Sequence, residues 1–137
     1  MMKRFLLFLF LAPLCPVAHA ASEKPNTVLI HPGEVIYARF AQKGIKLTLL
    51  SASKEKDDLA QVVLTIPPAD PTKKAMLPIK VENKFGQYLH YKAEMRVVSR
   101  KQRTPMKTSP VVPGKMALEQ LPPMIEELAV YAFALEK

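Results

Sequence analysis

The chain has 137 residues, a formal net charge of +8, a single cysteine and no tryptophan. That length predicts one domain, able to bury about 60% or somewhat more of the surface that its unfolded chain would expose. The lone Cys15 excludes a disulfide within the chain, and it falls in a segment expected to be removed.

Lys3 and Arg4 form a short basic n-region, and Phe5 to Leu14 is an apolar h-region. Ala18-His19-Ala20 then places small residues where a signal peptidase reads them. Cleavage after Ala20 is expected, which makes 1–20 a signal peptide and the protein periplasmic or secreted. No membrane span is expected, because the apolar run is shorter than the roughly 20 residues a spanning helix needs. Lipoprotein processing is excluded by Leu14, which stands where a small residue should precede Cys15. Losing the signal removes the only thiol and, with Lys3 and Arg4, lowers the formal charge from +8 to +6.

Ala21 to Asn26 reads as a polar, disordered leader, and 27–137 as the folded domain. Thr27 to Ile30 is a short apolar run ending at His31-Pro32-Gly33-Glu34, where the Pro-Gly order predicts a type II turn. Val35 to Ala41 alternates as a strand, Gln42-Lys43-Gly44 reverses the chain, and Ile45 to Ser51 alternates again. A solvated turn over Ser53 to Asp58 leads to a β-branched strand, Leu59 to Ile66. The prolines of 67–71 enforce a loop. Met76 to Glu82 alternates, but Pro78 removes a ladder donor, so this strand is expected at a sheet edge. Asn83 to Gln87 is expected to join it in a hairpin, with Gly86 in the left-handed region, to the strand Tyr88 to Val98.

In that strand Leu89, Tyr91, Ala93, Met95 and Val97 point one way, and His90, Lys92, Glu94 and Arg96 the other. Its length calls for a bend or bulge. Ser99 to Gly114 is basic and broken by Pro105, Pro110 and Pro113, so a loop is expected, with a brief edge pairing at Val111 and Val112. Met116 to Leu121 has no clear assignment. Met124 to Leu135 has helical spacing at Met124, Leu128, Tyr131, Ala132 and Leu135, yet as a helix it would be apolar nearly all round. A terminal strand buried on both faces accounts for the same run and is preferred. These elements predict an all-β fold, a single antiparallel β-sandwich of immunoglobulin-like type with about seven strands. Such an architecture does not carry a function by itself.

Chemistry has few footholds. No Gly-x-Ser-x-Gly elbow exists, and the histidines after the signal are His31, in a turn, and His90, on the wet face of a strand. Asp57-Asp58 and Glu126-Glu127 are adjacent carboxylates with no environment that would separate their pKa values. No catalytic residue and no enzyme activity are expected. Copper carriage would draw on His31, His90, Met76, Met95, Met106, Met116 and Met124, but no compact M-x-M, H-x-M or H-x-H cluster forms, so no metal or other cofactor is expected. The clearest signal is charge: Arg96, Arg100, Lys101, Arg103, Lys107 and Lys115 follow one another with no carboxylate between Met95 and Leu118. Arg96, Arg100, Lys101, Arg103 and Lys107 are therefore the expected contact residues of a basic 96–115 loop, facing a protein or an anionic component of the cell envelope. Nucleic acid is not expected, because no aromatics are interleaved to stack bases. A second class of reading is partner binding by strand addition at the edge formed by Met76 to Val81. In either case the protein reads as an exported, non-enzymatic binding or accessory module.

Overall fold

The computed structural model describes residues 24–137, and the expected signal peptide and the first residues of the expected leader lie outside them. Nine antiparallel strands follow one another: β1 (Val28–Ile30), β2 (Val35–Lys43), β3 (Lys46–Ser53), β4 (Val62–Thr65), β5 (Leu77–Asn83), β6 (Leu89–Val97), β7 (Thr104–Met106), β8 (Met116–Leu121) and β9 (Ile125–Leu135). They form one curled sheet, a half-barrel, in the order β7-β6-β9-β3-β2-β4-β5-β8, with β1 also paired to β9. No described residue is helical, and none of the described residues belongs to a helix able to cross a membrane. The all-β expectation holds, but nine strands replace the expected seven.

Most of the period-two patterns fall as expected. Ile36, Ala38 and Phe40 of β2 point into the core, as do Ile79 and Val81 of β5 and Leu89, Tyr91 and Ala93 of β6. One hydrophobic cluster takes in residues from every part of the curl, and Phe133 stacks obliquely on Phe40 with ring centroids 4.8 Å apart. The His31–Glu34 turn closes with a 3.1 Å bond from the Glu34 N–H to the His31 carbonyl, and Gly33 takes the left-handed φ of 87° that the type II geometry requires.

β9 is a strand because it is the centre of its half of the sheet. β6 pairs along one flank, while β1 and the end of β3 take the other. Even Ala129, on the outward face between Leu29 and Glu94, is buried. The misleading helical spacing has a local cause. Leu128 and Val130 point inward, and then Ala132 adopts a φ of 54° and the register shifts opposite Tyr91. This bulge resets the alternation, so Phe133 and Leu135, not Ala132, return to the core. β6 carries the matching irregularities between His90 and Lys92 and between Arg96 and Val97, the break expected in a strand of its length.

Three expectations are corrected. β5 is not an edge: it pairs with β4 on one side and β8 on the other. The bond from the Asn83 N–H to the Lys115 carbonyl sets the ladder phase so that the backbone of residue 78 faces the β4 side, and β4 ends opposite Lys80. Pro78 therefore lacks only a donor that no strand would have used. Second, β5 and β6 do not form a hairpin, and Gly86 has no positive φ; residues 84–88 carry the chain from one wing of the curl to the other. Third, the basic loop contains β7, paired with Ala93 to Met95, and Pro105 is accommodated there because β7 ends the sheet. Val111 then exchanges both backbone hydrogen bonds with Leu89, as the expected brief pairing, before the chain crosses to β5 as β8.

That crossing is held by Asn83, the one buried polar residue among those described. Its Nδ2 donates to the carbonyls of Gln87 at 2.8 Å and Val111 at 3.0 Å, and its Oδ1 accepts the Phe85 N–H at 2.9 Å. Tyr91 shows the opposite condition: its hydroxyl is buried with no partner, and burial raises its pKa far above the usual phenol range. Asn83→Ala is expected to cost about 2–4 kcal/mol in denaturant unfolding, since it strands both the Gln87 carbonyl and the Phe85 N–H. Asn83→Asp should cost at least as much, because a carboxylate cannot donate to those carbonyls. Tyr91→Phe is expected to lie within about 1 kcal/mol of the parent or to exceed it in stability, since the lost hydroxyl had no bond to lose.

Candidate functional site

The five cations singled out in the sequence divide into two groups. Arg96 stands directly opposite Glu127 in the β6–β9 ladder. Its guanidinium lies 3.1 Å from Glu126 and 3.8 Å from Glu127. Arg103 reaches the same Glu127 at 2.7 Å. These two arginines are largely covered, and their charge is met by carboxylates of β9. Arg100, Lys101 and Lys107 are exposed and form no ion pair among the described residues. Arg100, Lys101 and Arg103 line a shallow concavity of about 340 Å³ at the turn between β6 and β7. Ser99 opens that turn with a φ of 72°, and the Arg100 N–H closes it on the Val97 carbonyl at 3.2 Å.

The outer face of β1, β9 and β6 carries a polar network that the linear sequence did not suggest. Glu127 also meets His31 Nε2 at 3.2 Å, while His31 Nδ1 meets Glu34 at 2.7 Å, and Lys54 pairs with the other oxygen of Glu34. Each ring nitrogen of His31 thus faces a carboxylate. Burial opposes ionisation of Glu127, but Arg103, then Arg96 and His31, outweigh it and hold the carboxyl below its ordinary range. The Lys54 ammonium, and then His31, hold Glu34 lower still, at about 2. A second cluster joins Lys24 to Glu94 at 2.6 Å and sets the same ammonium 4.2 Å from the centroid of the Tyr131 ring. So the described end of the polar leader is tied to the sheet. Lys24 anchors it there, and Asn26 Oδ1 accepts the Leu49 N–H at 3.0 Å.

Next to the basic turn lies a groove of about 620 Å³ that the sequence did not reveal. Val98, Met124, Pro71 and Pro123 give it apolar walls, and Lys73 and Lys74 stand on its rim. Val98 is fixed there by a 2.8 Å bond from its N–H to the Met124 carbonyl. Neither lysine forms an ion pair among the described residues. The candidate metal ligands do not converge. Met95 and Met106 pack against the core, Met76, Met116 and Met124 are exposed, and His90 faces Glu136 at 3.5 Å. Among the described residues no three His, Cys, Asp or Glu side chains gather as a metal ion would require. Compared with known protein families, with curated proteins and with solved structures, the chain matches none.

Glu34 makes the acid behaviour testable. Its folded pKa, about 2, lies below the ordinary carboxyl value of 4.5, so its stabilisation is complete above that value and is lost as pH falls from there toward about 2. The stability difference between the parent and Glu34→Gln should therefore be largest near neutral pH and shrink through this window. Denaturant midpoints measured at steps from about pH 6 to about pH 2.5 check it; a constant offset would contradict the assignment.

Proposed function

We propose that the protein is an exported, non-enzymatic binding or accessory module of the cell envelope, periplasmic or secreted, that engages an anionic partner through the basic turn. The observation that carries this reading is the division among the five cations. Arg96 and Arg103 are spent on Glu126 and Glu127, whereas Arg100, Lys101 and Lys107 stay exposed and unneutralised. Charges meant only to hold the sheet together would be paired like the first two. Lys73 and Lys74, with the carboxylate Asp70 beside them, line the adjoining groove. In an exported compartment the anions at hand are lipid headgroups, lipopolysaccharide, cell-wall polymers and acidic protein surfaces. We further read the curl as an immunoglobulin-like sandwich, since inward residues of both wings, such as Leu64 and Val130, share one core cluster.

Binding to such an anion is expected to weaken by about tenfold or more between about 50 and about 300 mM salt, because exposed charges are screened over about 8 Å at physiological ionic strength. Neutralising Arg100, Lys101 and Lys107 together to Gln should abolish it with no change in thermal midpoint. Neutralising Arg96 and Arg103 should instead destabilise the fold. Titrations against anionic and zwitterionic vesicles and against purified lipopolysaccharide check both halves, and salt-independent binding would overturn the reading. Intact-mass measurement of the protein from its native host should begin at Ala21.

A further inference from the structure

A sheet that does not close leaves strand edges, and this protein treats its edges unequally. β7 is three residues long, holds Pro105, and is flanked by Arg103 and Lys107, which are the usual protections against unwanted pairing. β1 is equally short, and the free flank of β3 is broken by the bulge opposite Arg39 and Phe40 and partly capped by Asn26. β8 is longer and holds no such device within the strand, although Lys115 and Pro122 stand at its two ends. Its six residues, Met-Ala-Leu-Glu-Gln-Leu, contain no proline and no cation. The one charge, Glu119, is engaged by the backbone N–H of Ser109 at 3.0 Å.

The phase of the β5–β8 ladder says which groups face outward. Because the Asn83 N–H bonds to the carbonyl of Lys115, residues 115, 117, 119 and 121 turn their backbone groups toward β5. Met116, Leu118 and Gln120 therefore turn theirs to the open flank, where no other described strand pairs with them. The side chains of the same three residues form the outward row, with Met116 and Leu118 each 59% exposed. Free donors, free acceptors and an uncharged, largely apolar row thus coincide on one strand.

We propose that this edge takes the β8 strand of a second copy of the chain, antiparallel about a two-fold axis at Leu118. Directly opposed residues in an antiparallel pair share a face, so this register sets Leu118 against Leu118 and Met116 against Gln120, with all their free backbone groups exchanged. Glu119 falls opposite Ala117. A shift of the axis to Glu119 would oppose two carboxylates, and a half-step shift would set outward side chains against inward ones. The sequence of β8 is in this sense complementary to itself. The contact is a strand edge and one row of side chains, which places it among weak, concentration-dependent interfaces. Two copies of a net-cationic protein also repel, so added salt should strengthen this pairing. That response is opposite in sign to the one expected of the basic turn, so the two surfaces are separable in one experiment.

Sedimentation of the purified protein from about 10 µM to about 1 mM, at low and high salt, should show a monomer–dimer equilibrium that tightens with salt. Hydrogen exchange should show the amides of Met116, Leu118 and Gln120 gaining protection as the dimer forms. Leu118→Lys, which places two ammonium groups face to face, should weaken the dimer at least about tenfold. Leu118→Pro deletes an N–H that faces away from β5, so it should abolish the dimer while the monomer keeps its thermal midpoint. A protein that stays monomeric throughout, or a dimer that survives both variants, would overturn the proposal. So would protection of these amides that appears only when a different protein is added, because the edge would then belong to another chain's strand.

Discussion

One buried side chain amide governs how the two wings of the curled sheet meet. After β6 the chain runs back along it as β7 and Val111, and must then leave that flank to pair with β5 as β8. At this switch the Gln87 carbonyl has no strand opposite and the Val111 carbonyl, already bonded to the Leu89 N–H, keeps a second acceptor site, and buried groups left unsatisfied are costly. Asn83 removes the difficulty by donating to Gln87 and Val111 while accepting from Phe85. Its own N–H bonds to Lys115 and so sets the phase of the β5–β8 ladder. Which backbone groups of β8 look outward, and why Pro78 is harmless, both follow from that single bond.

The same logic of pairing sorts the charges. Antiparallel register places Arg96 against Glu127, and the β6–β7 turn brings Arg103 to the same carboxylate. Both arginines become part of the scaffold, along with His31, Glu34 and Lys54 beyond them. What remains on the turn is a smaller set of cations carried on a rigid base. Their field is not cancelled locally, whereas the charges beneath them are. A protein surface can thus be basic in its linear sequence and hold only part of that charge free for a partner.

The two ends of the sheet are finished differently. At one, a three-residue strand carries proline and neighbouring cations. At the other, a six-residue strand shows an uncharged row and free backbone groups. Lysines and prolines at an edge discourage pairing, and their absence from β8 is a local departure in a chain otherwise rich in both. The groove beside Val98 and Met124 adds a second exposed apolar feature, lined by residues that follow β6 and β8.

The linear sequence determined the secondary structure type and most of the inward-facing residues. Period-two alternation in Val35 to Ala41 and Tyr88 to Val98 reports burial of one face, which depends only on neighbours along the strand. The turns at Gly33 and Gly44 were likewise legible, since positive φ is a local demand that glycine meets. The basic cluster was legible as a count of charges. Which members were free was not, because Glu126 and Glu127 reach Arg96 and Arg103 only through strand pairing between distant segments. Pro78 suggested the wrong edge for the same reason: a missing donor marks an edge only if a strand would have used it, and the end of β4 decides that. The bulge at Ala132 lent a helical spacing to a run whose preferred reading as a strand the fold bears out, because a reset of alternation is set by the partner strand's register. Tertiary structure alone decided strand order, the open edge of β8 and the partners of each charge, because hydrogen-bond pairing between strands is a property of two segments and neither encodes it alone.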